Sequence, residues 1–268
     1  MVASNEAQLR PSTDARAERY RHAERRFWGH YGLAPVERFV EVGSPPVRLR
    51  VQELGSGEPV LFVNGTGSPG AYFAPLLRGL HRFRCLVLDR PGWGLSAPVD
   101  YSAASYRTLT AELLRAPLTS ETGVPRFIRL LRSPLGRIIT RVPENRRMLG
   151  KQLAALGHTA GSGPGQIPEA FVDWHLAMSR ETDWARHERE MVRRVVGRRG
   201  YVADLVLTDD EIASIEQPTL LVYGTADPIG SLDVCDGSPA ASRGASWRSW
   251  TEVVPWSGTT TPSASATA

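Results

Sequence analysis

Two short, nearly unbroken apolar runs constrain this chain most: Pro59-Val60-Leu61-Phe62-Val63 and Phe83-Arg84-Cys85-Leu86-Val87-Leu88, each followed at once by a glycine-rich loop. Strands covered on both faces read this way, because a parallel sheet carries helices on either side. Residues 71–81 between the two runs suit a crossover helix, so the order is strand, helix, strand. That order predicts an α/β fold with a mainly parallel sheet. Upstream, residues 36–42 and 47–53 alternate apolar and polar around Gly43-Ser44-Pro45-Pro46, which predicts an antiparallel hairpin with one wet face. Residues 11–30 read as a polar helix with Tyr20, Phe27 and Trp28 on one side. Downstream come a helical pattern at 103–114, an arginine-rich helical region at 124–198 interrupted over 157–168, and a buried strand at 219–223. The strands expected before and after that region are therefore 36–42, 47–53, 59–63, 83–88 and 219–223. The chain contains no internal repeat.

At 268 residues, 41% hydrophobic and 22% charged, the chain can bury a substantial core and is not fibrous or wholly disordered. Its longest apolar runs are strand-sized, which excludes an apolar membrane span. Residues 1–21 are polar and charged, so no secretory leader is expected. Two cysteines, Cys85 and Cys235, cannot build a disulfide framework, and a reduced, cytoplasmic setting is expected. The net charge of +4 rests almost wholly on arginine, with Lys151 the only lysine. These arginines are scattered and interleaved with acids, as in Glu188, Glu190, Arg193 and Arg194, so they read as G/C-rich codon usage and not as a nucleic-acid surface. Neither a nucleic-acid nor a membrane partner is expected, and oligomeric state is not legible.

Two loops fall where open α/β sheets place ligands, at the carboxyl ends of parallel strands. The first is Asn64-Gly65-Thr66-Gly67-Ser68-Pro69-Gly70, whose glycines let backbone N–H groups turn toward a developing oxyanion. The second is Asp89-Arg90-Pro91-Gly92-Trp93-Gly94-Leu95-Ser96. Either loop alone reads as a turn, and neither has the glycine spacing of a phosphate-binding loop. Taken in order with Pro218-Thr219-Leu220-Leu221-Val222-Tyr223-Gly224-Thr225-Ala226-Asp227-Pro228, they resemble the α/β-hydrolase superfamily. The resemblance implies an α/β-hydrolase fold, mainly parallel, with a helical cap and hydrolysis of a small ester-like substrate by a nucleophile–His–Asp triad. It implies that Asn64, Gly65 and Thr66 open the oxyanion loop and that Asp227 is the triad acid. By composition alone Asp227 is a turn aspartate. It further implies an N-terminal helical extension over 1–35, core segments over 36–115 and 201–234, and a cap over 116–200. No metal or cofactor is implied, since no Cys/His cluster has ligand spacing. Ester hydrolysis, not fixed by the fold alone, would require a small-molecule substrate as the partner.

Two pieces of that pattern are missing. No serine sits in a Gly-x-Ser-x-Gly elbow, and no aspartate elbow replaces it, so the nucleophile is not identified. The chain passes from the helix ending near Leu114 straight to Arg115-Ala116-Pro117, which resembles what family members show after the sixth strand. The gap amounts to about 40–50 residues at ordinary element lengths and would remove the central strand and elbow, leaving an incomplete core. The triad histidine should follow Asp227, yet the last histidine is His187. His158 and His175 lie in the expected cap and read as surface or packing residues before they read as substitutes. Cys85, inside a strand, reads as packing. Three readings stay open: a hydrolase with impaired chemistry, a non-catalytic binding protein of the same family, and the product of a damaged reading frame.

Residues 235–268 change character, rich in Ser, Thr and Ala yet holding Trp247, Trp250 and Trp256. Rewritten in G/C-rich codons and shifted back one base, residues 245–251 become Glu-Leu-Glu-Val-Val-Asp, a strand sequence where the family has its last strand. Residues 258–267 treated alike become Asp-Asp-Asp-Pro-Glu-Arg-Val-Gly-Asp, similar to the acidic opening of the family's final helix. Residues 253–258 yield no histidine in that shift, so more than one small insertion or deletion is required. The hypothesis is an irregular tail that is largely a frame-shifted hydrolase C-terminus. Sequencing the coding DNA across codons 105–125 and 228–268 checks it: restored elbow and histidine codons are expected, and codons that give no such shifted reading refute it.

Overall fold

The computed structural model describes residues 15–43, 45–64, 69–99, 126–155, 166–197, 202, 218, 220–224 and 246–250. The expected helix 103–114, together with Gly65, Thr66, His158, Asp227 and Cys235, lies outside the described residues. The chain divides into two compact units.

The first unit begins with helix α1 (Ala15–His30). Alanine, arginine and glutamate favour the helix, and Ala17, Tyr20, Ala23, Phe27 and Trp28 recur at three- and four-residue spacing to form one buried face. Gly32, at φ 71°, turns the chain out of α1. Strands β1 (Val36–Val42) and β2 (Val47–Leu54) then pair antiparallel, with Val36 opposite Glu53 and Val42 opposite Val47. Strand β3 (Pro59–Phe62) leads through a 3-10 turn (Gly70–Phe73) into the short helix α2 (Ala74–Leu77) and on to β4 (Arg84–Leu88). The sheet order is β1-β2-β4-β3, with β2 and β4 antiparallel and β3 and β4 parallel. The strand–helix–strand reading therefore holds, as does the hairpin. The crossover helix is shorter than the expected 71–81, because Pro75 sits at its start and the chain turns out at Gly79.

Two further expectations are corrected. The hairpin was expected to have one wet face, yet the polar face of β2 is buried: Arg48 is 8%, Arg50 2% and Gln52 3% exposed. Helix α1 supplies the reason, since its Glu24 reaches both Arg50 and Gln52. Conversely, β3 reads as covered on both faces, yet Leu61 is 47% exposed. Strand β3 ends the sheet order, with no strand beyond it among the described residues, as expected of a core without its central strand.

Helices α5 (Arg146–Ala155), α6 (Glu169–Glu181) and the first turn of α7 (Trp184–Val195) complete this unit. Helix α1 packs on α6, where Phe27 stacks on Trp174 at 4.7 Å with planes 4° apart. Phe171 meets both rings edge-on, at 5.7 Å from Phe27 and 5.6 Å from Trp174. Such aromatic pairs contribute roughly 0.5–1.5 kcal/mol each beyond their buried area. The second unit holds α3 (Arg126–Arg132), α4 (Pro134–Ile139), β5 (Leu220–Gly224) and β6 (Ser246–Trp250). Strands β5 and β6 pair parallel, Leu220 opposite Ser246 and Gly224 opposite Trp250. The expected strand at 219–223 is present one residue later. The expectation of an irregular tail departs at β6, a regular strand inside 235–268; the remainder of that stretch is outside the described residues.

A single guanidinium organises the first unit. Arg50, 3% exposed in its side chain, ion-pairs with Glu24 of α1, Glu37 of β1 and Asp89 beyond β4, at 2.5, 2.6 and 3.0 Å. Replacing Arg50 with methionine strands Glu24 and Asp89 inside the protein, and should cost about 3–5 kcal/mol. Urea unfolding of R50M against the parent chain measures it.

Candidate functional site

Parallel pairing sets the geometry of the site. Phe62 of β3 lies opposite Val87 of β4, so Asn64 and Asp89 leave the sheet level with each other at one edge. Both strand-end loops therefore open on the same side, the carboxyl edge where α/β sheets bind ligands. Asn64 is buried, at 5% exposure. Its expected partners in the oxyanion loop, Gly65 and Thr66, and the expected triad acid Asp227 lie outside the described residues. Beyond that loop, Gly70 brings the backbone against β4: a Cβ there would lie 2.7 Å from a Val87 methyl and 2.9 Å from the Leu88 carbonyl oxygen.

The second loop is wrapped around its own aspartate. The Asp89 carboxylate takes the Arg50 guanidinium at 3.0 Å and the Leu95 backbone N–H at 3.3 Å. Gly94 has φ +51°, and a Cβ on it would stand 2.1 Å from Asp89 Oδ2, so only glycine lets the chain close over the carboxyl. Ser96 stitches the loop to β2: its hydroxyl donates to the Asp89 carbonyl at 2.6 Å and accepts from the Arg50 N–H at 2.8 Å. Burial pushes the Asp89 carboxyl up to about 6; Arg50 pulls it down and the Glu24 charge pushes it further up. The physical sense is clear: desolvation of Asp89 favours its neutral acid, and the Arg50 charge offsets this only in part. Asp89 is thus an anchor for the loop.

Trp93, 1% exposed, projects from this loop onto Trp184 of α7, ring centroids 4.9 Å apart. His187 hydrogen-bonds the Gly92 carbonyl through Nδ1 at 3.0 Å. Beside them, Glu188 is 5% exposed and its Oε2 has no hydrogen-bond partner among the described residues. Burial pushes its carboxyl up to about 7, against the opposing charge of Arg90 and a hydrogen bond to Trp93. Sequence reading passed over Glu188, although a signal existed: it lies one turn from Trp184 on the helix face that continues to the buried Met191 and Val192.

A third cluster joins residues far apart in sequence. His175 of α6 is 5% exposed; Nδ1 lies 3.1 Å from the Tyr72 hydroxyl and Nε2 2.9 Å from Glu144 Oε2. Gln152 donates to the other Glu144 oxygen at 2.9 Å, and Ser179 Oγ accepts the Glu144 backbone N–H at 2.9 Å. Burial pushes Glu144 up, but the hydrogen bond and charge of His175, with Gln152, outweigh it and hold the carboxyl below its ordinary value. Burial and the Glu144 charge push the Tyr72 hydroxyl far up, so it stays a phenol and a donor. Both imidazole nitrogens are therefore hydrogen-bonded, one to a hydroxyl and one to a carboxylate. Separations of 31 and 103 residues left this cluster without any local signal. Cys85, 2% exposed, packs in the core as expected.

Glu188 yields a pH-dependent prediction. Its carboxyl holds a proton more tightly folded than unfolded, so its full stability is present below the ordinary glutamate range and is lost as pH rises toward about 7. Glu188→Gln should match the parent near pH 5 and exceed it near pH 8 by about 2 kcal/mol. Urea unfolding at the two pH values reads the difference.

No protein-family model matches the chain. Over 83 residues it is 37% identical to a 2-(acetamidomethylene)succinate hydrolase of Mesorhizobium japonicum, a stretch of 30% of this chain and 29% of that relative. The match thus spans under a third of the curated relative. Among solved structures, naproxen esterase of Bacillus subtilis superposes with a TM-score of 0.52 at 15% identity, over 93% of this chain and 95% of that one. A carboxylesterase of the same organism gives 0.51 at 14% identity, over 88% and 90%. E-2-(acetamidomethylene)succinate hydrolase gives 0.51 at 18% identity, over 81% and 90%. At these identities the likeness is one of fold, and it agrees with the sheet order and with the two loops at its carboxyl edge. The likeness therefore identifies the fold: the chain shares the α/β-hydrolase fold of these proteins.

Proposed function

We propose that this chain is a scaffold for hydrolysis of a small ester-like substrate, and that the chemistry is impaired in the chain as it stands. The observation that carries this reading is the shared carboxyl edge of β3 and β4, with Asn64 buried at the head of one loop and Asp89 clamping the other. In this reading the backbone N–H groups around Gly65 and Thr66 receive the oxyanion and Asp227 orients the triad histidine, while residues 116–200 cover the pocket as a cap. A nucleophile attacks the acyl carbon, imidazole carries its proton to the leaving group, and water releases the acyl enzyme. The activities of the similar proteins support the reaction class: two are esterases, and one is a hydrolase of an acetamidomethylene succinate.

The impaired reading rests on the sequence, in which no Gly-x-Ser-x-Gly elbow supplies a nucleophile. The second reading, a non-catalytic binding protein of the same fold, rests on the same missing elbow.

Assay with p-nitrophenyl acetate and a fluorophosphonate probe tests both. The impaired reading expects no labelled serine, and turnover on the order of 10⁴–10⁶ below that of an intact triad enzyme. Stoichiometric labelling, with turnover that Asp227→Ala abolishes, overturns the impairment. Background rates together with a thermal shift by acyl ligands select the binding protein.

A further inference from the structure

The helix pair α3–α4, inside the segment proposed as a cap, carries an exposed apolar and basic surface. Its sequence, residues 126–139, contains four arginines and no acidic residue. Leu130, Leu135, Ile138 and Ile139 are 43%, 52%, 63% and 37% exposed, four of the nine exposed large hydrophobics among the described residues. Leu135, Ile138 and Ile139 share one face of α4 by their three- and four-residue spacing. Arg129, Arg132 and Arg137 flank them, exposed, and none makes an ion pair among the described residues.

The join between the helices is tightly built. Ser133 Oγ donates to the Leu130 carbonyl at 2.6 Å, and the Gly136 N–H donates to the Ser133 carbonyl at 3.0 Å. A Cβ on Gly136 would lie 2.2 Å from the Leu131 carbonyl oxygen, so glycine is what allows α4 to fold back against α3. The exposed aliphatics are thereby held on short, connected elements.

From this we infer that α3–α4 is a peripheral docking surface for an anionic lipid bilayer, its aliphatic side chains entering the headgroup boundary and its arginines meeting lipid phosphates. Charge selects an anionic partner. Chemistry selects a bilayer among anionic partners. The exposed side chains among the described residues of 129–139 are arginine, leucine, isoleucine and proline, an aliphatic face bordered by cations. A bilayer asks only for an aliphatic face bordered by cations. This refines the expectation of no membrane partner, which rested on the lack of a span: no described helix is long and apolar enough to cross a membrane, and lying on one is a different physical act.

Co-sedimentation of the full chain with vesicles tests the inference. The chain should pellet with phosphatidylcholine–phosphatidylglycerol vesicles and not with phosphatidylcholine alone, and salt should weaken the binding. Arg129→Gln/Arg132→Gln/Arg137→Gln should lower the partition coefficient on the order of 100-fold, and Leu135→Glu/Ile138→Glu should abolish pelleting. The triple Arg25→Gln/Arg78→Gln/Arg82→Gln removes equal charge elsewhere and should retain most of the binding. Circular dichroism confirms that each variant keeps the parent's helix content. Failure to pellet, or equal loss in both arginine triples, overturns the inference. So does self-association by light scattering that Leu135→Glu/Ile138→Glu abolishes, which would assign the face to a second copy of the chain.

Discussion

Arg50 sits where three parts of the chain meet, and most of the first unit's geometry follows from the need to satisfy its buried charge. A guanidinium at 3% side-chain exposure is costly to desolvate, and that cost is offset only where carboxylates surround it with good geometry. Glu24 arrives from α1, Glu37 from β1 and Asp89 from beyond β4, so helix, hairpin and loop are located by one charge. Arg21 adds a second cation by pairing with Glu37, and the Tyr20 hydroxyl donates to Glu24 at 2.9 Å. The N-terminal helix is therefore part of the core, not an appendage to it. Such a network is weak evidence for net stability, but it specifies the arrangement: an apolar substitute at position 50 would not select Asp89 or orient its loop.

The loop that Asp89 anchors shows how a binding edge is built from backbone constraints. Gly94 allows the closure over the carboxyl and Ser96 ties the closure to β2. Trp93 then turns outward from the loop to meet Trp184. Across from it, β3 presents Leu61 to solvent at the end of the sheet order. An apolar strand edge is a site for unwanted pairing, and natural sheets normally cover or charge it.

Buried titratable groups here divide by the company they keep. His175 and Glu144 bond each other, and Tyr72 and Gln152 complete the set. Among the described residues one oxygen of Glu188 has no partner, and its raised carboxyl leaves it responsive to pH. Sequence position did not distinguish them: His175 and Glu188 both lie on amphipathic helices of the same arginine-rich region.

Local pattern and spacing determined a great deal. The hairpin, the parallel pair β3–β4, the strand near 219–223 and the helix over 15–30 were legible because periodicity and turn residues are local properties. The two loops at the carboxyl edge were legible because glycine spacing after an apolar run leaves few backbone options. The absence of an elbow and of a late histidine is likewise a property of the sequence alone. What only tertiary structure decided were the partners of polar residues. Arg50 and Gln52 looked like a solvated strand face until α1 covered them, and Asp89 looked like a turn residue until Arg50 reached it. Tyr72, His175 and Glu144 have no shared pattern at all. Burial of a polar group depends on a complementary group arriving from a distant segment, and no window along the chain contains that information.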